Sequence, residues 1–145
     1  MKVNMKNLIY ILSAISLSIF LLTSCESDKT YDGPAQVAFA SKTAAYNVTA
    51  NTTIAIPVQL IADGPQGDIT VNVSVNSTST TSAAAVTVPT TVTIPAGRFV
   101  GEIPVTVSYD NLAAGNANKL ILDLSSSNNK VAANYATLTV TFTKR

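Results

Sequence analysis

Five stretches of the chain alternate apolar and polar residues with a period of two. Ile69, Val71, Val73 and Val75 share one phase and polar residues fill the other, as in a strand that buries one face. Four further rows have the same period: Ile54, Ile56, Val58 and Leu60; Ile103, Val105 and Val107; Leu120, Leu122 and Leu124; Leu138, Val140 and Phe142. Weaker patterns predict strands at 37–40, 46–49, 85–88 and 92–94.

Turn-forming residues separate these strands, at 63–68, 96–98, 110–112, 115–116 and 125–129. No segment after residue 35 has a sustained helical period. A parallel sheet would need crossover helices. The pattern therefore predicts an all-β chain, folded as an immunoglobulin-like antiparallel β-sandwich of seven or eight strands.

Two prolines lie on the polar phase of predicted strands. Pro57 and Pro104 have no N–H to donate to a ladder. We therefore expect each of them on an edge strand or at a bulge, where proline also discourages pairing between sheets.

The first 24 residues have the pattern of an export signal. Lys2 and Lys6 precede an apolar run over 8–22, which is short for a permanent membrane span. The run ends in Leu22, Thr23, Ser24 and Cys25, which resembles the lipobox of bacterial lipoproteins. This predicts a signal peptide over 1–24, lipidation of Cys25, a tether over 25–35 and a β-sandwich domain over 36–145. Ordinary secretory cleavage and an uncleaved signal anchor are the alternatives, and both would also export the domain.

Lipidation would fix the location of the mature chain. Several acyl chains such as palmitate, each contributing about 0.8 kcal/mol per buried methylene, make release from a membrane negligible. Glu26, Asp28 and Asp32 follow the cysteine, a stretch that resembles the export signal of surface lipoproteins in Bacteroidota. We expect an outer-membrane or cell-surface location; a solvated acidic tether is the alternative interpretation.

The composition argues against nucleic-acid binding and catalysis. Without residues 1–24, the nine basic and eight acidic residues become seven and eight, and the basic ones are scattered rather than clustered on a phosphate-binding surface. The chain has no histidine and its single cysteine is the lipidation residue, so the usual nucleophile systems and zinc sites are excluded. Glu102 and Asp123 lie on polar phases, where solvent exposure is expected. The chain is predicted not to be an enzyme.

The order of segments resembles a known family. The motifs are Tyr31-Asp32-Gly33-Pro34 before Gln36-Val37-Ala38-Phe39, the Ile54, Pro57 and Val58 strand before Gly64-Pro65-Gln66-Gly67-Asp68-Ile69-Thr70-Val71, and Val92-Thr93-Ile94-Pro95-Ala96-Gly97 before Ile103-Pro104-Val105-Thr106-Val107. Together they resemble the Calx-beta-like domains of Bacteroidota lipoproteins, many of unknown function, over 36–143. The resemblance implies an immunoglobulin-like sandwich used as a surface module.

Calx-beta domains bind calcium through clustered acids at one end of the sandwich. Asp110 matches the loop that often carries such an acid, but Asn111, Ala113, Asn116 and Asn118 stand where the family usually has further acids. Calcium needs six to eight oxygens with several charges among them. We expect no cofactor unless the loops converge; Asp63, Asp68 and Asp110 are then the candidate calcium or loop contacts, and Asp123 is another isolated acid.

Two functions from different classes fit these features. The first is a non-catalytic binding or adhesion module that contacts a glycan or an envelope protein through strand-end loops. The second is a structural spacer or assembly component without a ligand. The aromatic side chains near strand ends or loops are Tyr31, Tyr46, Phe99, Tyr109 and Tyr135. Tyr109 and Tyr135 are the candidates for ligand stacking, and their exposure beside the 63–68 loop would indicate a site.

Overall fold

The computed structural model describes residues 31–64, 66–126 and 129–145, with the side chains of Asn116 and Ala117 excepted. The predicted signal peptide, its Leu22, Thr23 and Ser24, and the predicted lipidation residue Cys25 lie outside these residues. Among the residues described, no helix is long and apolar enough to cross a membrane.

Ten strands make up the described part of the chain. In order they are β1 (Gln36–Phe39), β2 (Thr43–Val48), β3 (Thr52–Ile61), β4 (Ile69–Val75), β5 (Val86–Thr87), β6 (Thr91–Ile94), β7 (Val100–Val107), β8 (Gly115–Ser125), β9 (Lys130–Val131) and β10 (Thr137–Lys144). A single turn of 3₁₀ helix, Ala133–Tyr135, precedes β10.

The strands form two five-stranded sheets that pack as a sandwich. One sheet has the order β5-β7-β3-β1-β9, and the other has the order β2-β10-β8-β4-β6. The predicted immunoglobulin-like β-sandwich is confirmed. The predicted number of seven or eight strands is too low. The strand predicted at 85–88 corresponds to β5, whereas the two-residue strand β9 is too short to show a period of two.

Two strand pairs are parallel, which the antiparallel prediction did not include. β1 pairs parallel with β9, and β2 pairs parallel with β10. The chain leaves the first sheet after Phe39 and joins the second at Thr43, so its N-terminal strand is divided between the sheets. The interruption at 40–42 allows this short segment to contribute one strand to each sheet.

The core consists of the apolar rows that alternate along the strands. Phe39 and Phe142 are its largest members, at 2% and 0% exposure, and the rows on β7, β8 and β10 are buried throughout. Val75 is an exception to the predicted row, at 49% exposure. It lies past the part of β4 that pairs with β6, beside a shallow depression at the rim of the sandwich.

The edge-strand prediction is wrong for Pro57, because β3 lies inside its sheet between β7 and β1. The Leu60 N–H donates to the Phe99 carbonyl, so even-numbered residues of β3 bond to β7 and the Pro57 nitrogen faces the other side. There the pairing with β1 has already ended, at Phe39 opposite Val58. Pro57 therefore removes no ladder bond.

β7 also lies inside its sheet, between β5 and β3, so the edge-strand prediction is wrong for Pro104 as well. β5 pairs with β7 only at Val107 and Thr106, so the outer side of β7 is unpaired at Pro104 among the described residues. The predicted turn at 115–116 is wrong, since β8 begins at Gly115, whose φ of 74° starts the strand from a left-handed conformation.

Candidate functional site

The loops of the sandwich lie at two ends, which the strand directions define. The end where β1 begins, called the N-terminal end below, carries residues 62–64, 66–68, 95–99 and 129–136. The opposite end, called the far end, carries the loops 49–51, 76–85 and 108–114. A site built from loops needs its residues at one of these ends.

The structure does not bring the sequence-predicted site residues together. Asp63, Asp68 and Tyr135 belong to the N-terminal end, whereas Tyr109 and Asp110 belong to the far end. A single site that combines both tyrosines with the 63–68 loop is therefore contradicted. The physical reason is that β7 runs the full height of the sandwich between Asp68 and Asp110.

Each predicted stacking tyrosine has contacts within the domain. The Tyr109 O–H donates to the Arg145 carbonyl at 2.7 Å, and the Lys144 Nζ lies 4.5 Å from the centre of its ring. Tyr135 is 42% exposed, with the Lys42 Nζ 5.4 Å from its ring centre. The Tyr109 hydrogen bond thus links the far end to the residue after β10, and Tyr135 is the more available of the two tyrosines for stacking on a ligand.

Two of the acidic side chains hold loops and strands through hydrogen bonds. The Asp68 Oδ1 accepts from the Ala96 N–H at 2.7 Å. Asp123 is half-buried and accepts from Asn76 Nδ2 at 2.7 Å and from Thr137 Oγ1 at 2.6 Å. Within the described part of the chain, no three acidic, histidine or cysteine side chains form a group that could hold a metal ion.

An open groove of about 570 Å³ lies between β6 and the first half of β7, at the N-terminal end. Sequence reasoning did not find it. Its walls combine an aromatic ring with a guanidinium and a carboxylate, and the lining residues are Thr93, Pro95, Gly97, Arg98, Phe99, Val100, Gly101 and Glu102. Phe99 is one of these residues and is 42% exposed.

A tight turn presents Arg98 and Phe99 to this groove. The Arg98 N–H donates to the Pro95 carbonyl at 2.9 Å, and Gly97 has a φ of 75°, which a side chain would disfavour. The Gly97 N–H donates to the Gln66 carbonyl at 3.0 Å, and Asp68 caps the Ala96 N–H at 2.7 Å. Asp68 thus acts as a positioning residue for the groove.

Gly101 sets how closely the two strands that form the groove approach each other. A Cβ at this position would lie 2.9 Å from the Thr93 carbonyl oxygen and 3.0 Å from the Ile94 Cγ1. The Thr93 oxygen belongs to the backbone of β6, which cannot move aside as the end of a flexible side chain could. Only glycine therefore allows this width of the groove.

Replacing Gly101 with alanine should lower the free energy of unfolding by about 2 kcal/mol, because the methyl group pushes β7 away from β6. Denaturant unfolding measures the loss. Gly67→Ala is the control, since a Cβ at Gly67 meets nothing within 4 Å. Equal stability of the two variants would show that β6 and β7 do not need this close approach.

The groove suits a neutral polar ligand with one apolar face. Among the lining residues, Phe99 offers an apolar ring, the Arg98 guanidinium offers donors and the Glu102 carboxylate offers acceptors. A pyranose ring combines an apolar C–H face with hydroxyl groups, so it matches both features.

Neither a protein-family model nor a curated protein sequence matches this chain. Solved structures do resemble it. One is a "putative carbohydrate binding protein" from Bacteroides ovatus, with a TM-score of 0.63 and 22% identity over 75% of this chain. A second Bacteroides ovatus protein, of unknown function, has a TM-score of 0.61 and 16% identity over 74% of this chain.

The Calx CBD1 domain in its apo form is a third structural neighbour, with a TM-score of 0.63 and 12% identity over 78% of this chain. The chain spans 99% of that domain, but only 37% and 44% of the two Bacteroides ovatus chains. The fold is therefore Calx-beta-like, as the sequence resemblance implied.

Proposed function

We propose that this chain is a non-catalytic binding module, displayed from the bacterial envelope by a lipid on Cys25, and that it binds glycan in the groove between β6 and β7. The observation that carries the proposal is the half-exposed Phe99 ring, which lines the groove together with Arg98 and Glu102. Large exposed aromatic groups next to polar side chains are typical of binding surfaces.

The comparisons support a glycan ligand without assigning one. The sandwich resembles part of a Bacteroides ovatus protein described as a "putative carbohydrate binding protein". The lack of histidine in the sequence supports a role without catalysis. The Cys25 motif supports display from a membrane, which would keep the groove outside the cell.

Replacing Phe99 with alanine is expected to weaken glycan binding at least about tenfold, because the sugar loses its apolar contact surface. The experiment is a glycan-array screen with the full chain in detergent, followed by titration calorimetry with the best ligand. Arg98→Ala should weaken binding as well, through the loss of its hydrogen bonds.

Tyr135→Ala is the matched control, because Tyr135 has the same 42% exposure as Phe99 but lies outside the groove. This variant should bind like the wild type. The groove is the wrong site if Tyr135→Ala loses binding and Phe99→Ala keeps it. A screen without any glycan ligand would favour the structural-spacer hypothesis.

A further inference from the structure

Most sheet edges among the described residues are protected against further strand pairing. β5 and β9 have two residues each, and β6 has four, flanked by Pro89 and Pro95. On the part of β7 that β5 does not pair with, Pro104 has no backbone N–H to donate to another strand. Short strands and prolines are the usual means by which proteins prevent unwanted pairing.

β2 forms the remaining edge, and it is neither a two-residue strand nor flanked or interrupted by proline. β2 runs for six residues, Thr43–Val48, with no proline and no charged residue. Within residues 31–64, 66–126 and 129–145, it pairs only with β10. At about 3.3 Å per residue, it offers an edge about 20 Å long.

The ladder phase shows which backbone groups face outward. The Thr139 N–H donates to the Lys42 carbonyl, and the Arg145 N–H donates to the Val48 carbonyl. Even-numbered residues of β2 therefore bond to β10, and the N–H and C=O groups of Thr43, Ala45 and Asn47 point away from the sheet. The Ser41 hydroxyl donates to the Thr43 carbonyl at 3.0 Å, so that carbonyl already has a donor. Ala45 and Asn47 therefore supply the backbone groups that a partner strand would pair with.

Both ends of this edge carry positive charge. Lys42 precedes β2, while Lys144 and Arg145 lie beside Val48, and neither β2 nor β10 contains an acidic residue. The Arg145 Nε donates to Asn47 Oδ1 at 3.3 Å, which holds the guanidinium at the edge. The charges favour a partner strand with carboxylates near its two ends.

The same charges disfavour a second copy of β2 as the partner. An antiparallel pair centred on Ala45 would place Lys42 of one chain opposite Val48 of the other, next to Arg145. Like charges would then meet at both ends of the new ladder.

We propose that the β2 edge is an interaction surface that accepts an extended acidic segment of a partner polypeptide as an additional strand. Main-chain hydrogen bonds to Ala45 and Asn47 supply the pairing, and Lys42 and Arg145 select for acidic ends. The edge lies across the sheet from β6, so the glycan groove stays accessible and this surface does not depend on the glycan proposal.

The test uses a blocked eight-residue peptide of alternating valine and threonine, with aspartate at both ends, titrated against the full chain in detergent by fluorescence anisotropy. We expect saturable binding below about 1 mM. A peptide methylated on alternate amide nitrogens, and one with lysine at both ends, should each bind at least about tenfold more weakly. Absence of binding by the acidic peptide would overturn the proposal.

Two kinds of variant locate the binding. Ala45→Pro removes an outward-facing N–H without removing a bond to β10, so it should weaken binding about tenfold or more. Lys42→Glu should also weaken it, whereas Lys119→Glu, an equal charge change at an exposed residue of β8, should not. Equal losses in the two lysine variants would reveal nonspecific charge attraction and overturn the proposal, even if Ala45→Pro failed to fold.

Discussion

Replacing Asn118 with aspartate is expected to lower the free energy of unfolding by about 3 kcal/mol. Asn118 is the buried polar residue of the described core, at 2% exposure. Its Oδ1 accepts from the Ala113 N–H at 2.9 Å, and its Nδ2 donates to the Ala113 carbonyl at 2.8 Å. The side chain thus pairs with Ala113 as a neighbouring strand would.

The expected loss comes from the donor side of this amide. The Asn118 Nδ2 also lies 3.4 Å from the Phe142 carbonyl, so an aspartate oxygen would face two carbonyl oxygens. The second oxygen of the buried carboxylate would then have no donor in place of the lost N–H. It would also be repelled by the carbonyl oxygens of Ala113 and Phe142. The loop after β7 would lose its connection to the start of β8.

Urea unfolding at neutral pH measures this effect, with Asn72→Asp as the control. Asn72 is exposed on β4, so the same change of charge there should alter stability by less than about 0.5 kcal/mol. Acidification should restore part of the Asn118→Asp loss, because a protonated carboxyl group can donate a hydrogen bond. A variant as stable as the wild type would show that water, rather than Ala113, satisfies this side chain.

Asn118 also shows what the family resemblance can and cannot predict. The sequence identifies it as an amide where Calx-beta domains usually have an acid. Its hydrogen bonds to Ala113 become visible only in the structure, because they depend on how the loop returns to β8. An amide can both donate and accept there, and a carboxylate can only accept.

The sandwich itself follows from the period of two in the sequence. Ile103, Val105 and Val107 alternate with polar residues because one face of β7 packs on the other sheet and the other face meets water. Local periodicity carries no information on partner strands. It therefore could not reveal the parallel pairing of β2 with β10, or that β3 lies inside its sheet despite Pro57.

The groove was harder to predict than the fold, since its residues meet through pairing over long sequence distances. Asp68 and Ala96 are 28 residues apart, and their hydrogen bond depends on the pairing of β4 with β6. From the sequence, Asp68 resembled a loop acid available for calcium. The best sequence signal for the groove is the Pro95-Ala96-Gly97 turn directly before Arg98 and Phe99.

Replacing Cys25 with serine is expected to abolish lipid attachment, so that the intact protein no longer carries the mass of the acyl chains. The physical reason is that a serine hydroxyl cannot take the thioether-linked lipid, so the several acyl chains at about 0.8 kcal/mol per methylene are lost. Cell fractionation, a carbonate wash and the mass of the intact protein measure this change. Ser24→Ala is the control, because it keeps a small residue before the cleavage site and should remain lipidated.

The outcomes of this experiment separate the three interpretations of the first 25 residues. A lipoprotein requires that wild type and Ser24→Ala be membrane-bound with the mass of added acyl chains, and that Cys25→Ser lack this added mass. Ordinary secretion predicts soluble wild-type protein without lipid. An uncleaved signal anchor predicts that wild type and Cys25→Ser both stay in the membrane at the mass of the full chain without added lipid, because the apolar run over 8–22 would then hold the chain.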